Sequence, residues 1–375
     1  MTKTLIIGGG VIGLAIAREL HKRGEREITI FEKHKVGSGA SQAAAGMLAP
    51  QAETNAADDF FRFCETGNRF YDSFARELES ETGLNIGLDS TGTLYLAFTR
   101  HDMGEIEARF EWQNDAGLDV EMLSARETHK REPFVSPHSV AALHFPNDRQ
   151  VDNRKLVFAL QEYCIRNGIA IHENTEITAI ETANGISVRG AALKVFEADR
   201  LIIANGAWGS GLNINGSSPK FERLRPVRGQ LLKFHTAKRL FEHVIYSPRG
   251  YIVPRASGAI LCGATVEEVG FSTEGLETGE ESVKETTFEI APGIANLALD
   301  EVRVGFRPIT DDGLPLIGAV PGCENTYVAA GHYRNGILLA PVTANLLVDK
   351  IVADIQSEFL TLCAPNRASN NKTNE

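Results

Sequence analysis

Paired cysteines, an excess of positive charge and long apolar runs are what this chain lacks. Its five cysteines, Cys64, Cys164, Cys262, Cys323 and Cys363, stand far apart, form no CxxC pair and are odd in number. Neither a disulfide framework nor a zinc site is encoded, and no metal is expected. No apolar stretch approaches the roughly 20 residues that cross a bilayer, and Met1 to Thr4 run straight into an apolar segment with no leader. A cytoplasmic protein without a membrane partner is expected. The formal net charge of −11 argues against a nucleic-acid partner. With 375 residues the chain suits about two domains, and small-molecule chemistry is the remaining default.

What is present begins at the N-terminus. Leu5-Ile6-Ile7 reads as a strand, Gly8-Gly9-Gly10-Val11-Ile12-Gly13 as a tight turn, and Val11 to Arg23 as a helix burying Ile12, Ala15, Ile16 and Leu20. Glycines at 8, 10 and 13 allow the turn, the approach of backbone N–H groups to a pyrophosphate, and close packing of helix on strand. Glu32 ends a second apolar strand about 20 residues on, where a carboxylate accepts from ribose hydroxyls and repels a 2′-phosphate. The pattern asks for a dinucleotide other than NADP. Behind it, Val36 to Pro50 is a run of glycine, alanine and serine too poor in bulk for a core element. It suits a backbone laid against a large planar ligand, which favours FAD over NAD, although composition alone also allows a surface loop.

The run from Leu5 to Pro50 resembles the D-amino-acid oxidase superfamily of FAD enzymes. Tyr251-Ile252-Val253-Pro254, Gly263-Ala264-Thr265, Val304-Gly305-Phe306-Arg307-Pro308, Asp312 to Gly318 and Ala330-Gly331-His332-Tyr333-Arg334-Asn335-Gly336 are similar to its glycine oxidase branch, linked to thiamine biosynthesis. The resemblance implies an α/β (α+β) protein: a Rossmann-like FAD-binding domain in segments 1–86, 145–220 and 300–364, interleaved with an antiparallel substrate domain in 87–144 and 221–299. A polar tail, 365–375, has nothing to bury and is expected to be disordered. Between these, Phe60 to Leu78 repeats at helical spacing, Asp102 to Gln113 reads as an exposed helix, and Asp152 or Asn153 caps a helix burying Leu156, Phe158, Leu160 and Cys164.

For the site, the resemblance implies that FAD is held, non-covalently, by Gly8, Gly10, Val11, Ile12, Gly13, Glu32, Lys33, Ser41, Gln42, Ala44, Ala45, Gly46, Met47, Ile177, Asn205, Gly206, Trp208, Arg307, and His332 through Leu338 (Tyr333, Arg334, Asn335, Gly336 and Ile337 between them). Arg307 matches the arginine that forks the substrate carboxylate, and Tyr251 the tyrosine whose hydroxyl reaches it. Arg334 adds positive field or caps a loop. Val266 matches the position beside the substrate's small side. No acid or base is required, since hydride loss from Cα needs only a neutral amine, and His332 is read as structural. The N-terminus of the last helix is expected to favour negative charge on the flavin. The expected activity is oxidation of glycine, sarcosine and small D-amino acids to the imine, with O2 reduced to hydrogen peroxide, in a homo-oligomer that the family suggests is a tetramer. A D-amino-acid dehydrogenase feeding a quinone, or a flavin protein acting on tRNA, are the alternatives.

Overall fold

The computed structural model of the protein describes residues 2–183, 185–190, 194–216 and 224–367. The opening strand, Lys3–Ile7, lies inside a six-stranded sheet ordered Leu316–Ala319, Thr326–Ala330, Arg200–Ile203, Lys3–Ile7, Glu27–Phe31, Ala170–His172. All neighbours pair in parallel except the edge strand Leu316–Ala319. A parallel sheet must be covered on both faces, and the central strands accordingly bury Leu5, Ile6 and Ile7, Ile28, Ile30 and Phe31, and Leu201, Ile202 and Ile203. Ile6, Ile30 and Ile202 face the helices Val11–Lys22, Asn153–Arg166 and Gly336–Ala353, while Leu5, Ile7, Leu201 and Ile203 face a four-stranded layer holding Ile177–Glu181 and Ile186–Gly190.

The long helix near the C-terminus corrects one expectation. Tyr333–Ala353 spans 21 residues at a mean hydropathy of 1.6, long and apolar enough to cross a bilayer. Here 56% of that stretch is buried, and the helix packs on Val11–Lys22 and on the long helix Asp59–Thr82. A helix flanked on both sides needs apolar residues nearly all round. Asp59–Thr82 itself starts at Asp58, whose carboxylate accepts from the Phe61 N–H, and ends at Gly83 in the left-handed region. The end near Gly83 was legible in the sequence.

A second sheet has eight strands, ordered Leu299–Ile309, Arg225–His235, Ala259–Gly263, Gly250–Pro254, Val244–Ser247, Thr93–Ala97, Ala141–Phe145, Glu121–Ser124. Its pairs are antiparallel apart from Val244–Ser247 with Thr93–Ala97. A two-stranded ladder, Met47–Leu48 with Arg149–Gln150, links the small-residue segment to the chain returning from this sheet.

Three further readings need correction. Phe158 is exposed, because a helix puts Val157 and Leu160 on the face that Leu156 shares; alternate residues cannot all point inward. The helix Arg100–Asp115 buries Asp102, Ile106, Arg109 and Gln113, so it is not a free surface element. The expected disordered tail is ordered at its start: Arg367 pairs with Asp312 at 2.7 Å and donates to the Leu314 and Pro315 carbonyls. Residues 368–375 lie outside those described.

Candidate active site

One cavity of about 460 Å³ runs along the carboxyl ends of the parallel strands and out beneath the eight-stranded sheet. Ligands bind in that position in open α/β sheets because the strand ends and helix N-termini leave backbone donors free. At its inner end Gly8 has φ +112°, and a Cβ there would lie 2.3 Å from the Ala204 carbonyl oxygen. Only glycine lets the strand end turn so close to its neighbour. The helix Val11–Lys22 starts at Gly10 with no side-chain cap of its own; the Val11 N–H donates to Ser41 Oγ at 3.0 Å. Its uncapped amino end is suited to a pyrophosphate. Glu32 accepts from the Gly9 and His34 N–H groups at 2.8 and 2.9 Å, which fixes the carboxylate at the cavity wall. Asn205, also on the wall, has a buried Oδ1 with no partner. An unfilled acceptor, a fixed carboxylate and an uncapped helix start fit the polar half of FAD.

The expected site residues border this cavity, with five exceptions. Gly13 instead packs the helix on the strand: a Cβ there would sit 2.0 Å from the Gly8 carbonyl oxygen. Gln42 is exposed, Asn335 turns its N–H to the His332 carbonyl, and Leu338 is buried in the core beneath. Val266 is 53% exposed and off the cavity wall. Thr265 and Glu267 bond back to Gln230 and Arg228, so the residue between them faces outward.

At the other end the large sheet presents two polar side chains across two glycines. Arg307 lies over Gly229, where a Cβ would be 2.2 Å from its Nη1, and donates to the Thr265 carbonyl at 3.0 Å. Tyr251 lies over Gly263, where a Cβ would be 2.7 Å from its hydroxyl. Desolvation raises the Tyr251 pKa, with Arg307 and Arg334 pulling it back. The phenol therefore stays protonated and can donate. Behind it, Tyr246 and Tyr95 continue a stack at 6.3 and 5.3 Å, closed by Arg109 4.8 Å above Tyr95.

Glu53 is the residue that sequence reasoning missed. It ends the turn Pro50–Glu53 and faces the same space. Desolvation raises its pKa, opposed by the charges of Arg334 and Arg307. Burial works against Arg334's charge as well, but Glu53 and the tyrosines around it more than offset this and hold the guanidinium above its ordinary value. Arg334 thus adds field at the site and also lies 5.8 Å from the Tyr333 ring. The turn that carries Glu53 is braced from below. Asp148 accepts from the Gln51 and Ala52 N–H groups at 3.1 and 3.2 Å, and the buried Arg109 and Gln113 donate to the Gln51 carbonyl. A carboxylate three residues past the small-residue run was the available signal. His332 is buried, its Nε2 3.1 Å from Thr343 Oγ1, and burial lowers its pKa to about 3, so the ring stays uncharged near neutrality.

A model of the family described as FAD dependent oxidoreductase (DAO) matches residues 3–350. The chain is 34% identical over 349 residues to the glycine oxidase of Geobacillus kaustophilus, covering 92% of each protein. It is 33% identical to the bifunctional protein ThiO/ThiG of Synechocystis sp., spanning 97% of this chain and about half, 53%, of that longer protein. The crystal structure of the Geobacillus kaustophilus glycine oxidase superposes with a TM-score of 0.92 at 32% identity, covering 98% of this chain and 99% of that one.

Proposed function

The chain belongs to the FAD dependent oxidoreductase family, and from that premise we propose that it oxidises glycine, with sarcosine and small D-amino acids as further substrates, to the imine. Overall, the amine loses two electrons and two protons, a hydride from carbon and a proton from nitrogen, and O2 gains both to become hydrogen peroxide. Bound FAD supplies the hydride acceptor and the route to O2. The observation that carries the substrate is the pair of side chains laid over Gly229 and Gly263 at one end of the cavity. Glycine offers little but its carboxylate for orientation, and a guanidinium fork with a phenol beside it binds that group by charge-assisted bonds. Arg307 and Tyr251 hold the carboxylate, and Arg334 adds field. Glu53 faces the substrate nitrogen, where a carboxylate both attracts the ammonium and accepts the proton that must leave before Cα can lose hydride. The relatives named glycine oxidase and ThiO/ThiG support this reading and a supply role in thiamine biosynthesis.

The proposal includes FAD held non-covalently, the segments 1–86, 145–220 and 300–364 around it, and 87–144 with 221–299 around the substrate; the strand Leu299–Ile309 is the seam, pairing with Arg225–His235. It also includes a cytoplasmic homo-oligomer. The deciding experiment is anaerobic addition of glycine to the purified yellow protein. Loss of flavin colour, with peroxide released on readmitting air, is expected. A flavin that glycine leaves yellow would end the proposal, and bleaching followed by slow recovery in air would point instead to the quinone-linked dehydrogenase.

A further inference from the structure

Five arginines are buried among the described residues, and four of them, Arg18, Arg109, Arg228 and Arg303, have a carboxylate within 4 Å. Arg255 has none. It follows directly on the strand Gly250–Pro254, and its own N–H donates to the Ala259 carbonyl at 2.8 Å. Its guanidinium makes two bonds, both to neutral acceptors: Nη1 to Gln150 Oε1 at 2.6 Å and Nη2 to the Ala45 carbonyl at 2.5 Å. The two acceptors belong to one small structure. Gln150 is the ladder partner of Met47, and the Val151 N–H donates to the Gly46 carbonyl at 2.8 Å. Ala45, Gly46 and Met47 form cavity wall. Gly46 is at φ +78°, and a Cβ there would be 2.9 Å from the Arg255 Nη2 and 2.1 Å from the Val151 carbonyl oxygen. The guanidinium is thus pressed against the outer side of the peptide whose inner side faces the cavity.

A buried charge without a counter-ion is costly, and such groups concentrate where a site makes use of them. Satisfying one carbonyl and one amide needs no charge, since a neutral donor would do. We propose that Arg255 is a positioning residue for the cofactor, fixing the 45–47 peptide and placing behind it a positive charge with no bonded carboxylate, which favours the electron-rich reduced form of FAD. This rests on the reading above that the cavity wall at 45–47 borders FAD. The charge acts through the intervening peptide; Arg255 is not on the cavity wall and does not touch substrate.

The test compares wild-type holoenzyme with Arg255→Met, Arg255→Lys and Gln150→Glu. Two equilibria are read: affinity for sulfite, which adds to flavins and leaves negative charge on them, and the two-electron potential from dye equilibration. FAD affinity, by refilling apoprotein, is the third readout. Arg255→Met should weaken sulfite binding and disfavour reduction by about tenfold, a potential drop of about 30 mV. Arg255→Lys should restore both to within about threefold of wild type while still binding FAD more weakly, because an ammonium keeps the charge and not the fork. Gln150→Glu keeps the arginine and neutralises it in place, so it should reproduce the Met result even if Arg255→Met does not fold. Wild-type constants in Gln150→Glu, or in a folded Arg255→Met, overturn the proposal. Neither sulfite nor dye equilibration involves an amine, so failure of glycine to reduce the wild type would sink the substrate reading without touching this one.

Discussion

At the residue scale the cavity is an arrangement of opposite charges spaced by tyrosines. Arg307 is free to reach the cavity because Gly229 has no side chain beneath it. Removing the guanidinium removes a charge-assisted contact of about 1.5–3 kcal/mol, so Arg307→Ala should raise the KM for glycine roughly 10- to 150-fold while the protein stays yellow. An unchanged KM in a titration of the purified variant would show that another cation grips the acid end. Glu53→Gln tests the other pole. It keeps shape and loses the proton acceptor, so kcat/KM should fall by about 10- to 100-fold near neutrality, with FAD affinity unaltered. If steady-state kinetics of the variant match the wild type, Glu53 is a bystander between two arginines.

At the element scale the notable device is the four-residue turn Pro50–Glu53, too short to hold itself. Asp148 caps its backbone, and desolvation pushes this carboxyl from its ordinary 3.8 up to about 8 in spite of the two N–H donors. The sign follows from proton counting. Between those values the folded protein holds a proton that the unfolded chain releases, so this group's contribution to stability declines as pH rises and levels off above about 8. Asp148→Asn cannot titrate. The difference in melting temperature between wild type and variant should therefore change across pH 4 to 8 and be flat above; a constant offset throughout would mean that Asp148 is already ionised in the fold.

At the scale of the whole molecule, the chain crosses repeatedly between its two large sheets, and its described end is clamped back onto the six-stranded one. Arg367 joins Asp312 and the carbonyls of Leu314, Pro315 and Ala364, next to the edge strand Leu316–Ala319. Asp312 is depressed below its ordinary value; desolvation opposes this, and the Arg367 contacts with the Leu314 N–H outweigh it. Breaking this part-buried pair from one side leaves the other charge without its partner at a cost of roughly 1–3 kcal/mol. Arg367→Ala should lower the melting temperature by several degrees in calorimetry at neutral pH, and the loss should shrink in acid as Asp312 takes up a proton. Equal melting curves for the two proteins would show that the clamp carries no weight.

The local features were legible in the sequence because each is fixed by residues close together in the chain: the Gly8–Gly13 turn, the acid at Glu32, the helix end near Gly83, the opening strand at Leu5–Ile7. Arg307 and Tyr251 were found by resemblance alone, since nothing local marks a strand arginine as facing a cavity. The rest depended on pairings between distant segments. Val266 turns outward because Thr265 and Glu267 bond to Gln230 and Arg228. Glu53 becomes part of the site because Asp148 and Arg109 brace its turn. The helix Gly336–Ala353 is core material because two others enclose it. Backbone conformation answers to near neighbours, whereas which way a side chain faces, and what charge it meets, is settled only when segments hundreds of residues apart are packed together.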